Sequence, residues 1–429
     1  GVPLQGAVRY DRRRPLAALQ RIAAGLDRGA LELRAFSSPD QSLHGLLRML
    51  QASGLNTYGS EVSSGCGPVM TVEGRECVNF ISNSYMGFSV HPKVREAARR
   101  AIDQFGIGIG GSPIACGTSS LHIELAEHIA DHYDKEAALL FASGYQALAG
   151  TIQGLTGRKA VALVDNLDHR SIIDGCILSG CKMRSFRHND MEDLEQLVDG
   201  TARKADNRMV IVDSVYSMDG DIADLPGIEG ICRPAGVSIL VDEAHSLGVI
   251  GKTGKGILEH FDMPGAADIV SGTFSKFAGA VGGFTAASRD VVDYLRHYSS
   301  PFVFSASLPP MVVAAVRASF ELLRTEPEWH QRLWENVRYM LEGLGALGFD
   351  TGNSSTPVIP VMVRDTHKVL QMNRTLLDRG VYASPVVHPG VPLKMERIRL
   401  GVMATHTREH LDRALEIFGE VGREFELIS

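Results

Sequence analysis

Hydrophobic positions along the chain follow two different periods. Short, nearly continuous apolar runs are typical of buried strands, and they alternate with segments in which apolar residues recur at helical spacing. The first pattern predicts seven strands: Ala137–Ala142, Val161–Asp165, Met183–Phe186, Met209–Asp213, Ser238–Asp242, Ile269–Ser271 and Gly283–Ala287. The second predicts four helices: His91–Phe105, His122–Tyr133, Met191–Lys204 and Asp290–Tyr298. This alternation indicates an α/β fold, with a mostly parallel central sheet that is covered by helices on both faces.

The N-terminal part of the chain has a pattern of its own. Apolar residues recur at helical spacing from Leu16 to Leu26 and again from Leu43 to Leu50. A Gly-, Ser- and Asn-rich passage from Ser53 to Gly67 follows, and its composition is that of a loop. We therefore expect residues 1–55 to form a helical extension that precedes a large domain at residues 56–306.

The C-terminal part predicts a second, smaller unit. The run Ser307–Pro310 interrupts the pattern, and a long helical stretch then continues through Leu347. Strand-like runs follow at Pro357–Val363 and Ile398–Val402, and an amphipathic helix begins near Arg408. We expect residues 307–429 to form a small α/β domain.

Composition excludes several classes of protein. Hydrophobic residues make up 44% of the chain and charged residues 22%, which is ordinary for a globular protein. The formal net charge of -7 argues against a nucleic-acid or anionic-membrane partner, and no apolar run reaches the ~18 residues of a membrane span. The six cysteines form no C-x-x-C pair, so we expect reduced thiols, no metal site and a cytoplasmic location.

Two short motifs suggest nucleotide binding but lack its sequence context. Residues 106–111 satisfy G-x-G-x-x-G, yet a predicted helix precedes them where a dinucleotide site needs a strand. Residues 242–245 read DEAH, a helicase signature, but no phosphate-binding G-x-x-x-x-G-K-[ST] lies upstream of them. Neither motif supports a nucleotide site.

A lysine follows one of the predicted strands, between hydroxyl residues and glycines. Lys276 lies in the run GTFSKFAGAVGG, and its primary amine can condense with an aldehyde if burial lowers its pKa. Thr273 and Ser275 offer hydroxyl groups to a neighbouring phosphate. The alternative is a surface lysine in a glycine-rich turn.

An acid and a histidine follow a second strand. Asp242 ends the run SILVD, and a carboxylate at this place can keep a pyridine nitrogen protonated, which makes the ring an electron sink. His245 can share the same site. The alternatives are a helix-capping aspartate and a hydrogen-bonded core histidine.

Two more strand ends complete the set. His169 comes just after the strand at Val161–Asp165, where an imidazole can stack on a flat ring and carry protons. Gly144 and Tyr145 lie where a strand gives way to a helix, a junction that presents backbone N–H groups to a phosphate. Because the carboxyl ends of parallel strands share one edge of a sheet, these groups are expected to meet there.

The order of these segments resembles that of the α-oxoamine synthases, a family of fold-type I enzymes that depend on pyridoxal 5'-phosphate. The resemblance runs from about Asn56 to Phe418 and includes the motifs SNSYMGFSVHP, LLFASGYQA, DNLDHRSIIDG, SVYSMDGDIADLP, VDEAHSLGVIG, GTFSKFAGAVGG, FVFSASLPP and RIRLGVMATHT. The family condenses an amino acid with an acyl thioester and releases carbon dioxide, giving an α-amino ketone. It works as a homodimer.

The resemblance implies a role for each site residue. Lys276 carries the cofactor, Asp242 pairs with its ring nitrogen, His169 stacks on the ring, and Ser217 and His245 contact its phenolic oxygen. The phosphate contacts are those of Gly144, Tyr145, Thr273 and Ser275, with Ser305 from a partner subunit. Arg399, the second arginine of RIR, binds the substrate carboxylate, since a guanidinium fork suits that group. The alternative for Arg399 is a salt bridge at a strand edge. His122 is implied to be structural.

Two departures from the family pattern concern the substrates. Ser84 stands where relatives usually have Asn or Asp, and its neighbour Asn83 becomes a candidate substrate contact. Pro113 stands where relatives usually have Arg, near the thioester entrance. The chain also begins with Gly1, and we expect a domain of an assembly line that takes its acyl group from an acyl carrier protein. A free-standing enzyme using acyl-coenzyme A is the alternative.

Two other activities compete with the condensation. The first is another fold-type I reaction, such as amino-group transfer. The second is an inactive scaffold subunit, but such subunits typically lack the cofactor lysine, which is present here at position 276.

Overall fold

A computed structural model describes residues 53–201 and 207–429 of the chain. The two predicted N-terminal helices, and the end of the predicted helix at Met191–Lys204, lie outside the described residues. The division into an extension and two domains stays a prediction.

Strands occur along the whole described part of the chain. In chain order they are β1 (Val69–Val72), β2 (Arg75–Asn79), β3 (Ala137–Phe141), β4 (Ala160–Asp165), β5 (Lys182–Phe186), β6 (Asn207–Asp213), β7 (Ser238–Asp242), β8 (Ile269–Thr273), β9 (Gly283–Ala287), β10 (Val358–Met362), β11 (Val381–Tyr382), β12 (Ser384–Val386) and β13 (Arg397–Gly401).

The main sheet has seven strands in the order β3-β9-β8-β7-β6-β4-β5. Only β9 runs antiparallel to its neighbours, so the other six strands end at the same edge. This confirms the predicted α/β fold with a mostly parallel sheet. The strand ends that carry the candidate chemistry, those of β3, β4, β7 and β8, all lie at that edge.

Alternation along the strands divides the core between the two faces of this sheet. Val210 and Val212 of β6 belong to one cluster of buried side chains, whereas Met209 and Ile211 belong to the other. In β7 the same division separates Ile239 and Val241 from Leu240. Both faces of the sheet are therefore buried from solvent, as expected for a parallel sheet with helices on each side.

Helices cover the sheets and connect the strands. They are α1 (Pro92–Phe105), α2 (Ser120–His132), α3 (Gly144–Leu155), α4 (Arg170–Ser179), α5 (Met191–Thr201), α6 (Leu225–Cys232), α7 (Ile257–His260), α8 (Arg289–Tyr298), α9 (Ser300–Val303), α10 (Pro310–Thr325), α11 (Glu328–Leu347), α12 (Thr366–Asp378) and α13 (Arg408–Glu424). A single 3-10 turn occupies Phe88–Val90 within the described residues. No helix of this described part is long and apolar enough to cross a membrane.

Two small sheets flank the main one. β10, β13 and β12 form an antiparallel sheet, and Arg399 lies on its central strand. β1 pairs with β2, and β2 pairs with β11, some 300 residues later in the chain. This second sheet was not predicted. It joins the first strands of the expected large domain to a strand of the expected small domain.

Candidate active site

A cavity of about 290 Å³ opens at the carboxyl edge of the main sheet. Most of the predicted site residues line it: Gly144, Tyr145, His169, Ser217, Asp242, His245, Thr273, Ser275 and Lys276. Their positions follow from topology, because each lies on or just after the end of a parallel strand. The sheet thus brings together groups that are far apart in sequence.

The lysine is held by a tight turn that begins where β8 ends. Thr273 Oγ1 lies 2.9 Å from Ser275 Oγ and donates to the carbonyl of Gly282 at 3.0 Å, which fixes the start of the turn. Burial lowers the pKa of Lys276, and the carboxylate of Asp242 opposes this effect. The turn therefore presents an amine that loses its proton more easily than an exposed lysine, and a neutral amine is the form that attacks an aldehyde.

The last residue of β7 supplies the carboxylate. The side chain of Asp242 is buried, and its Oδ1 accepts the backbone N–H of Ala244 at 2.9 Å. Burial raises the pKa of Asp242 to about 6, against the effect of Lys276. A desolvated carboxylate of this kind gains most from a cationic partner, such as a protonated ring nitrogen. No helix begins directly after Asp242, so this hydrogen bond belongs to a turn and not to the helix cap considered above, and the carboxylate also lines the cavity.

His169 is the residue that precedes α4 and forms one wall of the cavity. Its Nδ1 lies 2.7 Å from the hydroxyl of Ser171 and 3.3 Å from the backbone nitrogen of the same residue. The backbone N–H of His169 donates to Asp213 at 3.1 Å. Burial and the nearby Lys276 lower the pKa of the imidazole. A neutral ring is the form suited to stacking on a flat ligand.

A buried chain of polar groups connects this edge to the small antiparallel sheet. Tyr85 Oη lies 2.6 Å from His245 Nδ1, and both side chains are buried. Arg399 interacts with the same phenol, and its Nε donates to the carbonyl of Ser217 at 2.5 Å. Burial raises the pKa of Tyr85 to about 12, against the effect of Arg399. Arg399 is thus fixed beside the cavity although it does not line it.

The phosphate end of the candidate site is formed by the start of α3. Ser143 caps this helix by accepting the N–H of Gln146 at 3.1 Å. A Cβ on Gly144 would lie 2.5 Å from Cβ of Thr273, so only glycine allows the helix to start this close to β8. The first N–H groups of α3 and the two hydroxyls after β8 therefore face the same space, as a phosphate group requires.

The two remaining predicted residues lie outside the cavity lining. Asn83 precedes Tyr85 by two positions, and its Oδ1 is buried without a hydrogen-bond partner in the described structure. Ser305 Oγ accepts a long hydrogen bond of 3.4 Å from Gln146, which lies in the first turn of α3. His122, expected to be structural, is buried, caps the start of α2 and lies 2.8 Å from the carbonyl of Leu308.

Sequence reasoning missed three residues of this site. Ser171 and Asp213 line the cavity, and Tyr85 contacts His245. Burial raises the pKa of Asp213, and Asp242 adds to the rise, so a buried pair of acids lies beneath the cavity. Asp213 ends β6 as Asp242 ends β7, so the same strand-end signal was available for it.

The donor set matches one kind of cofactor, a pyridine aldehyde that carries a phosphate. Lys276 offers an amine for the aldehyde, and Asp242 offers an anion for the ring nitrogen. The cradle at Gly144 offers N–H and hydroxyl donors for the phosphate. The residues present therefore fit pyridoxal 5'-phosphate. Within the described residues, no cluster of His, Cys, Asp or Glu has the arrangement needed to hold a metal ion.

Known proteins are similar in sequence to most of the chain. The chain is 40% identical over 382 residues to 8-amino-7-oxononanoate synthase of Thermoanaerobacter pseudethanolicus, a match that covers 89% of this chain and 97% of that protein. It is 37% identical over 384 residues to serine palmitoyltransferase of Sphingobacterium spiritivorum, a match that covers 90% of this chain and 96% of that protein.

Solved structures give the same result. Serine palmitoyltransferase of Sphingomonas wittichii matches with a TM-score of 0.88 at 33% identity, covering 91% of this chain and 99% of that one. A serine palmitoyltransferase solved with its PLP internal aldimine matches with a TM-score of 0.87 at 33% identity, covering 90% of this chain and 98% of that one. The aminotransferase class I and II family matches residues 75–418. The chain therefore belongs to this family and, within it, to the α-oxoamine synthases that its motifs resemble.

Proposed function

We propose that this protein is a pyridoxal 5'-phosphate-dependent acyltransferase that condenses an amino acid with an acyl thioester and releases carbon dioxide. The product is an α-amino ketone. The observation that carries the proposal is the meeting of Lys276, Asp242 and His169 in one cavity, with Arg399 held beside it. The names of the relatives, synthases and palmitoyltransferases, support acyl transfer over amino-group transfer.

The cofactor, when bound, supplies an electron sink for the bond that is broken at the α-carbon of the amino acid. Lys276 would hold the cofactor through a bond between the lysine amine and the aldehyde of the cofactor. When it is not bonded to the cofactor, the amine of Lys276 would accept the α-proton of the amino acid. Asp242 keeps the ring nitrogen protonated by presenting a desolvated carboxylate to it.

The other residues orient the two substrates. Arg399 is fixed through its Nε, and its guanidinium suits the carboxylate of the amino acid. His169 lines the cavity, where it would stack on the cofactor ring and donate a hydrogen bond to a substrate oxygen. His245 and Ser217 are proposed contacts of the phenolic oxygen, and Tyr85 holds the His245 ring in place. The buried, unpaired Oδ1 of Asn83 supports the proposal that it contacts substrate.

A spectral titration tests the amino acid part of this proposal. The cofactor-loaded protein is titrated with each of the twenty amino acids, and its visible absorbance is recorded. Only the true donor should shift the spectrum at low concentration, and Arg399→Met should weaken that shift while cofactor content stays normal. Arg408→Met is the matched control, because Arg408 lies over the ring of Tyr339 at the start of α13. Equal weakening in both variants would contradict the role of Arg399.

We also propose that the protein is a homodimer whose sites lie at the interface. Three exposed large apolar side chains support this: Ile107 at 78%, Ile114 at 50% and Phe304 at 84% exposure. Their segments are adjacent, since the N–H of Ser307 donates to the carbonyl of Gly111 at 3.0 Å. A second copy would cover this apolar surface and bring its own Ser305 to the phosphate end. Sedimentation at assay concentration tests this, and a fully active monomer would refute it.

The acyl donor is proposed to be a carrier protein. The absence of an arginine at Pro113 supports this, because coenzyme A depends more on phosphate contacts than a carrier protein does. Arg289 and Arg296 line the same cavity of about 220 Å³ as Pro113, however, and they supply cations of their own. The kcat/KM for one acyl chain on both carriers decides the matter. Equal or better efficiency with coenzyme A would end the carrier-protein proposal.

We propose a cytoplasmic location as well. All six cysteines are free thiols in the structure, three of them buried, which suits a reducing compartment. Detection of the native protein in a membrane or exported fraction would contradict this location.

A further inference from the structure

The helix-capping histidine of the active site has a fixed partner. Nδ1 of His169 lies 2.7 Å from Oγ of Ser171, and the backbone N–H of Ser171 points at the same ring nitrogen at 3.3 Å. Ser171 is fully buried and lines the cavity with His169. Two polar groups of one residue thus converge on one imidazole nitrogen.

The two contacts together determine where the ring proton lies. A backbone N–H can only donate, so Nδ1 must offer its lone pair to it. A proton on Nδ1 would point at that N–H and repel it. With Nδ1 unprotonated, the Ser171 hydroxyl must donate as well, and the ring proton of the neutral imidazole lies on Nε2. No hydrogen bond joins Nε2 to the described residues, so it remains for a ligand.

We propose that Ser171 is a positioning residue that fixes His169 as its Nε2–H tautomer, so that His169 donates a hydrogen bond to a substrate oxygen and does not accept the α-proton. The choice of donor or acceptor matters because Lys276 lies in the same cavity, where burial lowers its pKa, and its amine is the other candidate acceptor of that proton. Ser171 thereby separates the two roles. This inference rests on the proposed function, but its test does not depend on turnover.

The ionisable groups around the His169 ring do not change the expected position of its proton on Nε2. Lys276 lowers the pKa of His169, while Asp174 on the same helix raises it. His245 faces the ring from the end of β7, and its own pKa is lowered by burial. Asp213 of β6 accepts the backbone N–H of His169, not a ring nitrogen. None of these groups hydrogen-bonds to Nδ1, so Ser171 alone sets its state among the described residues.

Nuclear magnetic resonance of the ring nitrogens tests the tautomer in the unaltered protein. The cofactor-loaded protein is labelled with 15N-histidine, and His169 is assigned by the signal that disappears in His169→Gln. Nδ1 should resonate as an unprotonated nitrogen and Nε2 as a protonated one. A protonated Nδ1 in the neutral ring would overturn the proposal, whether or not the protein turns over substrate.

Variants of Ser171 give a second, independent readout. Ser171→Ala removes a donor that competes with protonation of Nδ1, so the pKa of His169 should rise by about 0.5 to 1 unit. Ser171→Thr keeps the hydroxyl and should restore the original value. Ser179→Ala is the matched control on the same helix, because its hydroxyl donates to the carbonyl of Cys176 at 2.9 Å. A fall in the pKa, or no change, in Ser171→Ala would refute the donor role.

Discussion

A buried arginine joins the small antiparallel sheet to the turn that carries Ser217. Arg397 is 1% exposed and lies on β13, two residues before Arg399. Its guanidinium donates to Asp219 Oδ1 at 2.6 Å and to the carbonyl of Met218 at 2.8 Å, and its Nε donates to the carbonyl of Met395 at 2.8 Å. Because Arg399 holds the carbonyl of Ser217 as well, two arginines of one strand fix this turn.

Arg397→Met replaces the guanidinium with a shorter, uncharged side chain and removes every one of these bonds. Breaking a buried ion pair typically costs about 3–5 kcal/mol, because the remaining charge loses its partner. Asp219 keeps 27% of its side-chain surface exposed and can be hydrated, so we expect the lower end, about 3 kcal/mol of unfolding free energy. Asp219→Asn keeps an acceptor oxygen but leaves the charge of Arg397, which is 1% exposed, without its partner, so it should cost at least as much, about 3–5 kcal/mol.

A surface pair provides the matched control. Arg364 and Asp350 form an ion pair in which both side chains are about half exposed. Arg364→Met should therefore cost less than about 1 kcal/mol. Urea unfolding measures the free energy of unfolding of both variants, and an unchanged m-value shows that only stability has changed. Equal losses of unfolding free energy in Arg397→Met and Arg364→Met would refute the predicted difference between a buried and an exposed ion pair. Arg397→Met should also raise KM for the amino acid more than it lowers kcat, since the turn beside Arg399 is displaced.

Three further predictions concern the site itself. Lys276→Ala should abolish turnover and the visible absorbance of the bound cofactor while circular dichroism stays unchanged; retained turnover would contradict its role. Gly144→Ala should weaken cofactor binding by about 1–3 kcal/mol in a titration, because the new Cβ meets Thr273 at 2.5 Å; an unchanged affinity would show that the helix start is not the phosphate cradle. The pKa of Asp242 is about 6 in the fold against an ordinary 3.8, so the folded state binds the proton more tightly and stability is lost as pH rises through this range. Asp242→Asn should then raise the free energy of unfolding of the cofactor-free protein by up to about 3 kcal/mol at pH 8 and leave it unchanged below pH 4. A difference in unfolding free energy that does not change with pH would contradict the raised pKa.

The chemistry at the strand ends could be predicted because its signals are local. A polar residue that ends or follows an apolar run marks the carboxyl end of a strand, and parallel strands bring such ends to one edge. Lys276, Asp242, His169 and Gly144 could therefore be predicted to lie around one cavity, as they do. Tyr85 could not be predicted in this way, since its contact with His245 joins residues 160 positions apart and depends on how the small sheets pack.

Local patterns also explain what was missed in the fold. β2 has the sequence RECVN, with its first two residues exposed, and it gains a partner from β11 only through tertiary structure. The helical stretch predicted through Leu347 is two helices, because Pro327 follows the end of α10 and cannot continue its hydrogen-bond pattern. Strand pairing over long sequence distances and helix breaks within one apolar period are features that spacing alone does not resolve.

Acyl condensation with loss of carbon dioxide can be measured through its two small products, the thiol and carbon dioxide. The cofactor-loaded protein is incubated with the amino acid identified by titration and with an acyl thioester, and released thiol and carbon dioxide are counted together. One thiol and one carbon dioxide should be released per α-amino ketone, and neither should be released when the amino acid is omitted or in Lys276→Ala. Transfer of the amino group to a keto acid, with the thioester left intact, would contradict acyl condensation.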